Sequence, residues 1–392
     1  MKITDIKTIQ LKYPYESFIA DGCSACFGRG ALLVQVETDE GITGLGECAT
    51  FGASMSAMAD IVENQLKELL LGQNPLDNER LWETMVWSNF SNGRRGVVMG
   101  AVSGIDIALW DILGKFSNMP LYRIFGSNRD RVRGYASGGF YGPDKTVDDL
   151  KREMEGYMKK GYSAFKMKVG RSLNNIQAPH RYVKKGDFHI SFQEDVERIR
   201  AVRETIGKDG ILMLDMNGTW EIGDVLAAEH IFDEYNIYWI EEPIRSDDVD
   251  GYAKIAAGLK RTRVAGCEEE QGLSRYRELM ERQALDVVQV NLGWSGGFTE
   301  CRRIAALTQA YHKLFTPHTF FSAVLTAANV HFAASFPNVP FIESEENHNP
   351  LRTELLKEPI ECDKEMNYIV PQKPGLGIEL DMDVVNRYRV DK

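Results

Sequence analysis

The sequence predicts an α/β protein in which a barrel of eight parallel strands follows a smaller α+β domain. Two observations predict this fold. From Val132 onward, strand-like apolar segments alternate with helical patterns, which indicates parallel pairing of the strands. Upstream of Asp130, strand patterns come first and helical patterns follow. A chain of 392 residues is long enough for a large barrel and a second domain.

The N-terminal region begins with strand patterns and ends with a buried helix. Lys2–Lys12 and Ala31–Thr38 alternate apolar and polar residues, and Asp39–Gly41 provides a turn into the next strand. The segment Gly100–Gly114 (GAVSGIDIALWDILG) has apolar residues at three- and four-residue spacing, which predicts a buried helix. We therefore assign residues 1–130 to an α+β domain.

Eight strand-like segments follow, and a helical stretch separates each neighbouring pair. In order they are VRGYASGGFY, AFKMKVG, ILMLDMNG, IYWIEEP, RVAGCEE, LDVVQVN, KLFTPHTF and VPFIESEE. Eight such units close into a (β/α)8-type barrel, with a short last unit because the chain after Glu346 is loop-like. We assign residues 131–365 to the barrel and 366–392 to a segment that returns to the first domain. The long polar insertion after Gly170 is either a loop on the catalytic face or a surface loop without a role.

Composition and charge narrow the classes of partner. The formal charge is −11 and is spread along the chain, which argues against nucleic acid or an anionic membrane as the main partner. No apolar run approaches the roughly 18 residues that span a bilayer. The six cysteines are scattered and the N-terminus has a charged strand pattern, so we expect reduced thiols in a cytoplasmic protein. Cys23 and Cys26 have the spacing of a redox motif but do not lie between a strand and a helix.

Three acidic residues stand at the ends of three successive predicted strands, where barrel enzymes place their catalytic groups. They are Asp215, Glu241 and Glu268. A single acid at such a position is usually a helix cap or a solvated group. Three acids in one low-dielectric site would repel each other unless a divalent cation lay between them. Carboxylate oxygens suit Mg²⁺ or Mn²⁺ better than zinc, so the sequence predicts a magnesium-type site.

Two lysines and a histidine stand at the ends of two other strands. Lys166 and Lys168 share one face of the second strand, where a surface pair is the alternative to a catalytic pair. Two ammonium groups on an inward face disfavour each other's charge, so one lysine can be neutral near pH 7 and act as a base. His318 ends the seventh strand, across the barrel, which favours a second acid or base over a structural role.

Taken in order, the motifs resemble those of the mandelate racemase subgroup of the enolase superfamily. The resemblance covers essentially the whole chain. The matching segments are GITGLGE (Gly41–Glu47), SGIDIALWDILGK (Ser103–Lys115), FKMKVG (Phe165–Gly170), LDMNG (Leu214–Gly218), WIEEP (Trp239–Pro243), SGGFTE (Ser295–Glu300), TPH (Thr316–His318) and PGLG (Pro374–Gly377). The resemblance implies a (β/α)7β TIM-type barrel with an N-terminal α+β capping domain. It also implies one Mg²⁺ per subunit and a homo-oligomer, either a dimer or an octamer.

The resemblance further implies roles for individual residues. These are the metal ligands Asp215, Glu241 and Glu268, the base Lys168 with its partner Lys166, the opposing acid or base His318, the acid Glu343 that binds a carboxylate oxygen of the intermediate, and Asn217 beside the metal, where substrate is expected to bind. The sixth strand ends in Asn291, where the family usually has an aspartate paired with the histidine. An amide can orient the ring but supplies no charge, so we expect His318 to be less basic here and count Asn291 among the catalytic residues.

The implied chemistry is removal of the proton α to a carboxylate, with Mg²⁺ stabilising the enediolate. We expect dehydration of a sugar acid, an aldonate or an aldarate, to a 2-keto-3-deoxy acid. The polar insertion suits a hydroxylated substrate, and a weakly basic His318 suits an acid that releases its proton. The alternatives are a racemase, an epimerase or a cycloisomerase that uses the same enediolate, and a non-catalytic binding protein on this fold.

Overall fold

The computed structural model describes residues 1–171 and 190–391. The insertion that the sequence places after Gly170 lies outside the described residues, except at its two ends. The first domain opens with an antiparallel sheet, in the order β1 (Ile3–Ala20), β2 (Ala25–Thr38) and β3 (Thr43–Cys48). Its helices are α1 (Met55–Asp60), which continues through a π-helix (Ile61–Leu66) into α2 (Lys67–Leu70), and then α3 (Asn78–Ser88), α4 (Phe90–Gly93), α5 (Val97–Phe116) and α6 (Leu121–Ile124).

Strands β1 and β2 run further than the alternating sequence pattern predicts. Their ladder continues past a register shift between Pro14 and Ile19 and ends at the pair Ala20 and Ala25. Ala20 then exchanges two backbone hydrogen bonds with Tyr141, of 2.9 and 2.8 Å, just beyond the first barrel strand. The end of this hairpin therefore lies against the barrel. Its side chains there do not alternate between core and solvent, so the alternating sequence pattern stops before the strands end.

Helix α5 packs directly on β3 because glycines line the contact. A Cβ atom on Gly46 would lie 2.0 Å from the carbonyl oxygen of Gly104, and one on Gly104 would lie 2.3 Å from Sγ of Cys48. Larger residues would force this helix and strand apart. The helix is long and apolar enough to cross a membrane by length and composition, which the sequence analysis missed, but 89% of its apolar stretch is buried inside the protein. It is a core helix of the capping domain.

The eight predicted barrel strands are all present and parallel. They are β4 (Arg131–Gly138), β5 (Ala164–Lys168), β6 (Ile211–Asp215), β7 (Ile237–Glu241), β8 (Arg263–Gly266), β9 (Val287–Val288), β10 (Leu314–Phe315) and β11 (Ile342–Glu345). Neighbours pair in sequence order from β4 to β10, and β11 pairs with β4. The N–H of Phe315 also donates to the carbonyl of Asn338, just before β11, at 3.0 Å. The predicted barrel is confirmed.

In the described residues, seven helical connections join these strands. They are α7 (Val147–Lys160), α8 (Phe192–Ile206), the pair α9 (Ile222–Ala227) and α10 (Glu229–Glu234), α11 (Val249–Gly258), α12 (Leu273–Glu281), α13 (Gly297–Ala310) and α14 (Ala323–Ala333). Only the four-residue helix α15 (Pro350–Thr353) follows β11 before the short strand β12 (Asn367–Ile369) and helix α16 (Met382–Tyr388). The barrel is thus of the (β/α)7β type. A layer of apolar side chains that includes Tyr135, Trp239 and Phe341 fills its interior.

The C-terminal segment contacts both domains. Strand β12 pairs antiparallel with β4 of the barrel. Further on, the N–H of Leu376 donates to Oδ1 of Asp111 on α5 at 2.8 Å, and Arg389 pairs with Leu11 of β1. The domain limits that we assigned at residues 130 and 365 stay predictions. All six cysteines have free thiols.

Candidate active site

Strands β5, β6 and β7 bring a predicted base and two predicted metal ligands side by side. In the ladder, Lys168 is opposite Asp215, and Asp215 is opposite Glu241. Lys166, two residues before Lys168, also faces the barrel interior and is fully buried. The period of two in a strand therefore brings both lysines to the carboxylates, as their spacing predicts.

The carboxylates contact the lysines directly. Nζ of Lys166 pairs with Glu241, with Glu343 at 2.7 Å and with Asp215 at 3.5 Å. Lys168 pairs with Asp215. Burial and Lys166 lower the pKa of Lys168, but Asp215, together with Asp21 and Glu268, raises it, and the pKa is raised overall. Burial likewise lowers the pKa of Lys166, and Glu241 and Glu343 raise it well above its usual value. Lys166 lowers the pKa of Lys168 as expected, but the acids that contact both lysines raise the pKa of each overall. The expectation that one lysine is neutral near pH 7 beside a metal ion stays a prediction.

The third predicted ligand, Glu268, points into the same site. Cys267 has a φ of +74°, and this turn buries Glu268 while leaving Glu269 exposed. Oε1 of Glu268 lies 3.4 Å from Nε2 of His318. Burial, and then repulsion from Glu242 and Glu241, raises the pKa of Glu268 well above its usual value. Burial also raises the pKa of Glu241, to about 7.

The donor set fits a divalent cation. Among the described residues, no three His, Cys, Asp or Glu side chains are grouped closely enough to hold a metal ion as they stand. Lysine contacts occupy Asp215 and Glu241. The four predicted carboxylates nevertheless face only two lysines, which leaves an excess of two negative charges when all are ionised. Oδ1 of Asn217 is buried and has no hydrogen-bond partner in residues 1–171 and 190–391. Hard oxygen donors with a surplus of two negative charges suit Mg²⁺.

His318 and Asn291 lie side by side, just beyond the ends of β10 and β9. The amide nitrogen of Asn291 lies 2.8 Å from Nδ1 of His318. The backbone N–H of Gly293 donates to Oδ1 of Asn291 at 2.9 Å, and this fixes which end of the amide faces the ring. Because the amide NH₂ group donates to Nδ1, the neutral ring carries its hydrogen on Nε2. Burial lowers the pKa of His318 to about 4, against the opposing effect of Glu343. The weak basicity matches the expectation, but its main cause is burial rather than Asn291.

Two aromatic rings that the sequence analysis did not identify enclose His318. Phe51, in the capping domain, stacks on the imidazole with 5.7 Å between ring centres and an angle of 23°. Phe320 stacks on it with the same separation and an angle of 14°. No pattern in the sequence connects Phe51 with a histidine 267 positions later.

A buried ion pair on α8 holds the backbone around Lys168. Arg198 donates to the carbonyl of Lys168 at 2.9 Å and to that of Gly139 at 2.7 Å. Its partner Asp195, at 2.8 Å, accepts from the N–H of Gly170 at 2.8 Å. The acid and the arginine lie three residues apart on a predicted helix, which was the available signal, although that spacing is also common on solvated helix faces.

The hairpin of β1 and β2 brings one more charged group to this side of the barrel. Arg29 forms a buried ion pair with Glu345, the last residue of β11, at 2.9 Å. Its guanidinium lies over the ring of Phe320, 5.0 Å from the centre. Glu345 also accepts from the amide of Asn349 at 3.3 Å. The capping domain thus contributes Arg29 and Phe51 to the surroundings of the predicted catalytic residues.

Two protein-family models match the chain. Residues 28–126 match the mandelate racemase / muconate lactonizing enzyme N-terminal domain, and residues 149–384 match the enolase C-terminal domain-like family. The chain belongs to the enolase superfamily, in its mandelate racemase subgroup. The family that the sequence motifs indicate is thereby confirmed.

Curated relatives in this superfamily align along their full length. The chain is 32% identical to arabinonate dehydratase of Saccharolobus solfataricus, over 99% of both chains. It is also 32% identical to D-galactarolactone cycloisomerase of Agrobacterium fabrum, over 100% of this chain and 99% of the relative. These similarities identify the chain as an enzyme rather than as a binding protein.

Solved structures of superfamily members share the fold. A racemase from Streptomyces coelicolor with bound magnesium has a TM-score of 0.86 and 29% identity, over 99% of this chain and 100% of that one. L-talarate dehydratase from Polaromonas sp. JS666, complexed with Mg and L-glucarate, has a TM-score of 0.85 and 26% identity, over 100% of this chain and 98% of that one. Mg²⁺ therefore occurs in this superfamily.

Proposed function

We propose that this enzyme is a Mg²⁺-dependent acid-sugar dehydratase. Its substrate is a small sugar acid, an aldonate or an aldarate. Lys168 removes the proton α to the carboxylate, and the β-hydroxyl leaves as hydroxide with a hydrogen bond from His318. The hydroxide becomes water with a proton from solvent, to which Lys168 returns the proton that it removed, and the enol that remains tautomerises to a 2-keto-3-deoxy acid. Names of full-length relatives, which include a dehydratase and two sugar-acid cycloisomerases, support this class of reaction.

The observation that carries the proposal is the orientation of the Asn291 amide. Its NH₂ group donates to Nδ1, so the neutral His318 ring presents an Nε2–H on the side of Glu268 and Glu343. Such a ring can donate a hydrogen bond to a departing oxygen, as neutral imidazole does in other enzymes. It cannot take up a proton at Nε2. Lys168, whose amine in its uncharged form accepts a proton, is then the base on the opposite side of the substrate.

The remaining predicted residues would bind the metal ion and orient the substrate. Asp215, Glu241 and Glu268 would hold Mg²⁺, which supplies Lewis-acid stabilisation of the negative charge that forms on the substrate carboxylate. With a divalent cation bound, Asp215 would no longer pair with Lys168, and the main contact that raises the pKa of Lys168 would be lost. Glu343 would bind a carboxylate oxygen of the intermediate, as the resemblance implies, and Oδ1 of Asn217, which has no hydrogen-bond partner among the described residues, suits a substrate hydroxyl. We also propose that the enzyme is cytoplasmic and that it assembles as a dimer or an octamer.

A cycloisomerase is the second candidate, because two relatives of that type align over their full length. The same base and the same Nε2–H donor serve it, and the leaving oxygen then remains part of the molecule. A racemase or epimerase needs a proton acceptor on each side of the α-carbon. The amide at Asn291 disfavours that reading.

A panel of aldonates and aldarates in deuterated water, followed by NMR with Mg²⁺ present, tests the proposal. We expect one acid to lose water and give a 2-keto-3-deoxy product. Lys168→Ala should abolish both product formation and exchange of the α-proton, whereas His318→Asn should slow product formation and leave exchange. Interconversion of a substrate with its α-epimer, without loss of water, would show that the dehydratase assignment is wrong.

A further inference from the structure

We propose that Glu47, in the capping domain, is a positioning residue for His318. It caps the barrel helix α14 from the other domain, and through that helix it holds the histidine at the end of β10. This inference rests on the proposed role of His318 in elimination. Glu47 itself does not contact the reacting groups.

Glu47 is fully buried near the end of β3 and accepts three hydrogen bonds from the start of α14. Oε1 accepts from the N–H of Ser322 at 3.0 Å. Oε2 accepts from the hydroxyl of Ser322 at 2.6 Å and from the N–H of Leu325 at 2.9 Å. Ser322 is the N-cap of the helix and Leu325 is its third residue.

This arrangement is a capping box with its acid supplied from another domain. In an ordinary capping box, a glutamate at the third helical position reaches back to the N–H of the N-cap residue. Here Leu325 occupies that position and has no side-chain acceptor. Glu47 fills the role across the interface and satisfies two of the N–H groups that a helix leaves unpaired at its start.

Helix α14 contacts His318 in two ways. Asn329, on the helix, donates its amide to the carbonyl of His318 at 3.2 Å. Only three residues separate His318 from the N-cap Ser322, and two of them, Phe320 and Phe321, pack against the imidazole. A shift at the start of the helix is therefore transmitted to the ring through both its backbone and its neighbours.

The same stretch of the capping domain also holds the partner of His318. The N–H of Ala49 donates to the carbonyl of Gly293 at 2.8 Å. The N–H of Gly293 in turn orients the Asn291 amide. Phe51 covers one face of the imidazole. Residues 47–51 thus fix the helix, the amide and the ring face together.

Glu47 is held in a buried position that disfavours its charged form. Burial raises the pKa of Glu47 to about 7, although all three hydrogen bonds act in the opposite direction. Asp106 offers a matched comparison. It is a second fully buried capping-domain carboxylate, with a pKa that burial raises to about 7, and it caps α13 through Thr299 at 3.0 Å and 2.6 Å. Helix α13 follows Asn291 rather than His318, so loss of this cap perturbs the interface without loosening α14.

Two rates on one substrate test the inference. With arabinonate, or whichever acid of the panel reacts fastest, the enediolate partitions between return of a deuteron from Lys168 and loss of the β-hydroxyl assisted by His318. We expect Glu47→Gln to raise the ratio of α-proton exchange to elimination at least tenfold, in the direction of His318→Asn, with KM changed less than about threefold. Asp106→Asn should lower the melting temperature and leave this ratio within about twofold of the wild-type value.

The outcomes separate this inference from the proposed function. If Glu47→Gln lowers exchange and elimination in proportion, Glu47 is a structural cap and the inference is wrong, whereas the proposed function stands. If His318→Asn itself leaves the ratio unchanged, the proposed role of His318 fails, and the inference fails with it. Should Glu47→Gln not fold, Ser322→Ala removes the hydroxyl that donates to Glu47 and carries the same test. An unchanged ratio in Ser322→Ala would then overturn the inference.

Discussion

Replacing Glu47 with glutamine should alter how the stability of the protein depends on pH. Burial raises the pKa of this carboxyl from 4.5 to about 7 in the folded protein. A difference of about 2.5 pKa units corresponds to roughly 3 kcal/mol of folding free energy. Because the folded pKa is the higher one, this stabilisation is fully present below pH 4.5 and is lost as the pH rises to about 7. Glutamine does not titrate, so Glu47→Gln lacks this dependence.

This pH dependence is tested by measuring the melting temperatures of wild type and Glu47→Gln from pH 4.5 to pH 8, without added metal. The quantity to compare is the difference between the two melting temperatures at each pH. An unfolding entropy of about 2.1 cal/mol/K per residue gives roughly 0.8 kcal/mol/K for 392 residues. A change of about 3 kcal/mol is then about 4 °C. The advantage of wild type over the variant should shrink by about that amount between the two ends of the range. Asp106→Asn should show a trend of the same sign, since burial also raises the pKa of Asp106 to about 7. A constant difference across the range would mean that Glu47 is already ionised at low pH in the folded protein.

Two further substitutions test the charge of the predicted metal site and the type of reaction. Glu241→Gln leaves three predicted carboxylates against two lysines, so we expect a loss of turnover of at least about a hundredfold. The rise in melting temperature that Mg²⁺ gives the wild-type protein should be absent in this variant, and an unchanged Mg²⁺ effect would remove Glu241 from the ligand set. Asn291→Asp places an acceptor opposite Nδ1 of His318, which frees Nε2 to accept a proton. NMR of recovered substrate in deuterated water should then show deuterium entering with inversion at the α-carbon, and its absence would count against the tautomer argument.

The barrel could be predicted because its signal is local and repeated. Strand segments such as ILMLD recur between helical patterns, and acids at their ends fall on one edge of the sheet once the strands are parallel. Asp215, Glu241 and Glu268 were found in this way, and all three are buried; their roles as metal ligands stay predictions. Even the two-residue strands β9 and β10 were recognisable, because Val287–Val288 and Leu314–Phe315 are apolar.

What the sequence did not reveal depends on contacts between distant segments. The pKa of Lys168 was expected to fall because Lys166 is close by, but the charge of Asp215 dominates over that neighbour. Glu47 sits in a motif that the family comparison highlights, yet its partner Ser322 is 275 positions away. Phe51 likewise reaches His318 across the domain interface, where Ala49 donates to the carbonyl of Gly293. Periodicity carries no information about such pairs.

The orientation of the Asn291 amide connects these contacts with the type of reaction. For His318 to act as a base at Nε2, its hydrogen would have to move to Nδ1, and Asn291 would have to turn its oxygen toward the ring. The NH₂ group would then face the N–H of Gly293, so that two buried donors would oppose each other. An unsatisfied buried donor costs about 1–3 kcal/mol, which disfavours that arrangement by roughly 5- to 150-fold. Gly293 cannot readily move away, because Ala49 of the capping domain holds its carbonyl. The capping domain thus helps to keep His318 a hydrogen donor, and this is why we favour elimination with Lys168 as the base over two-base racemisation.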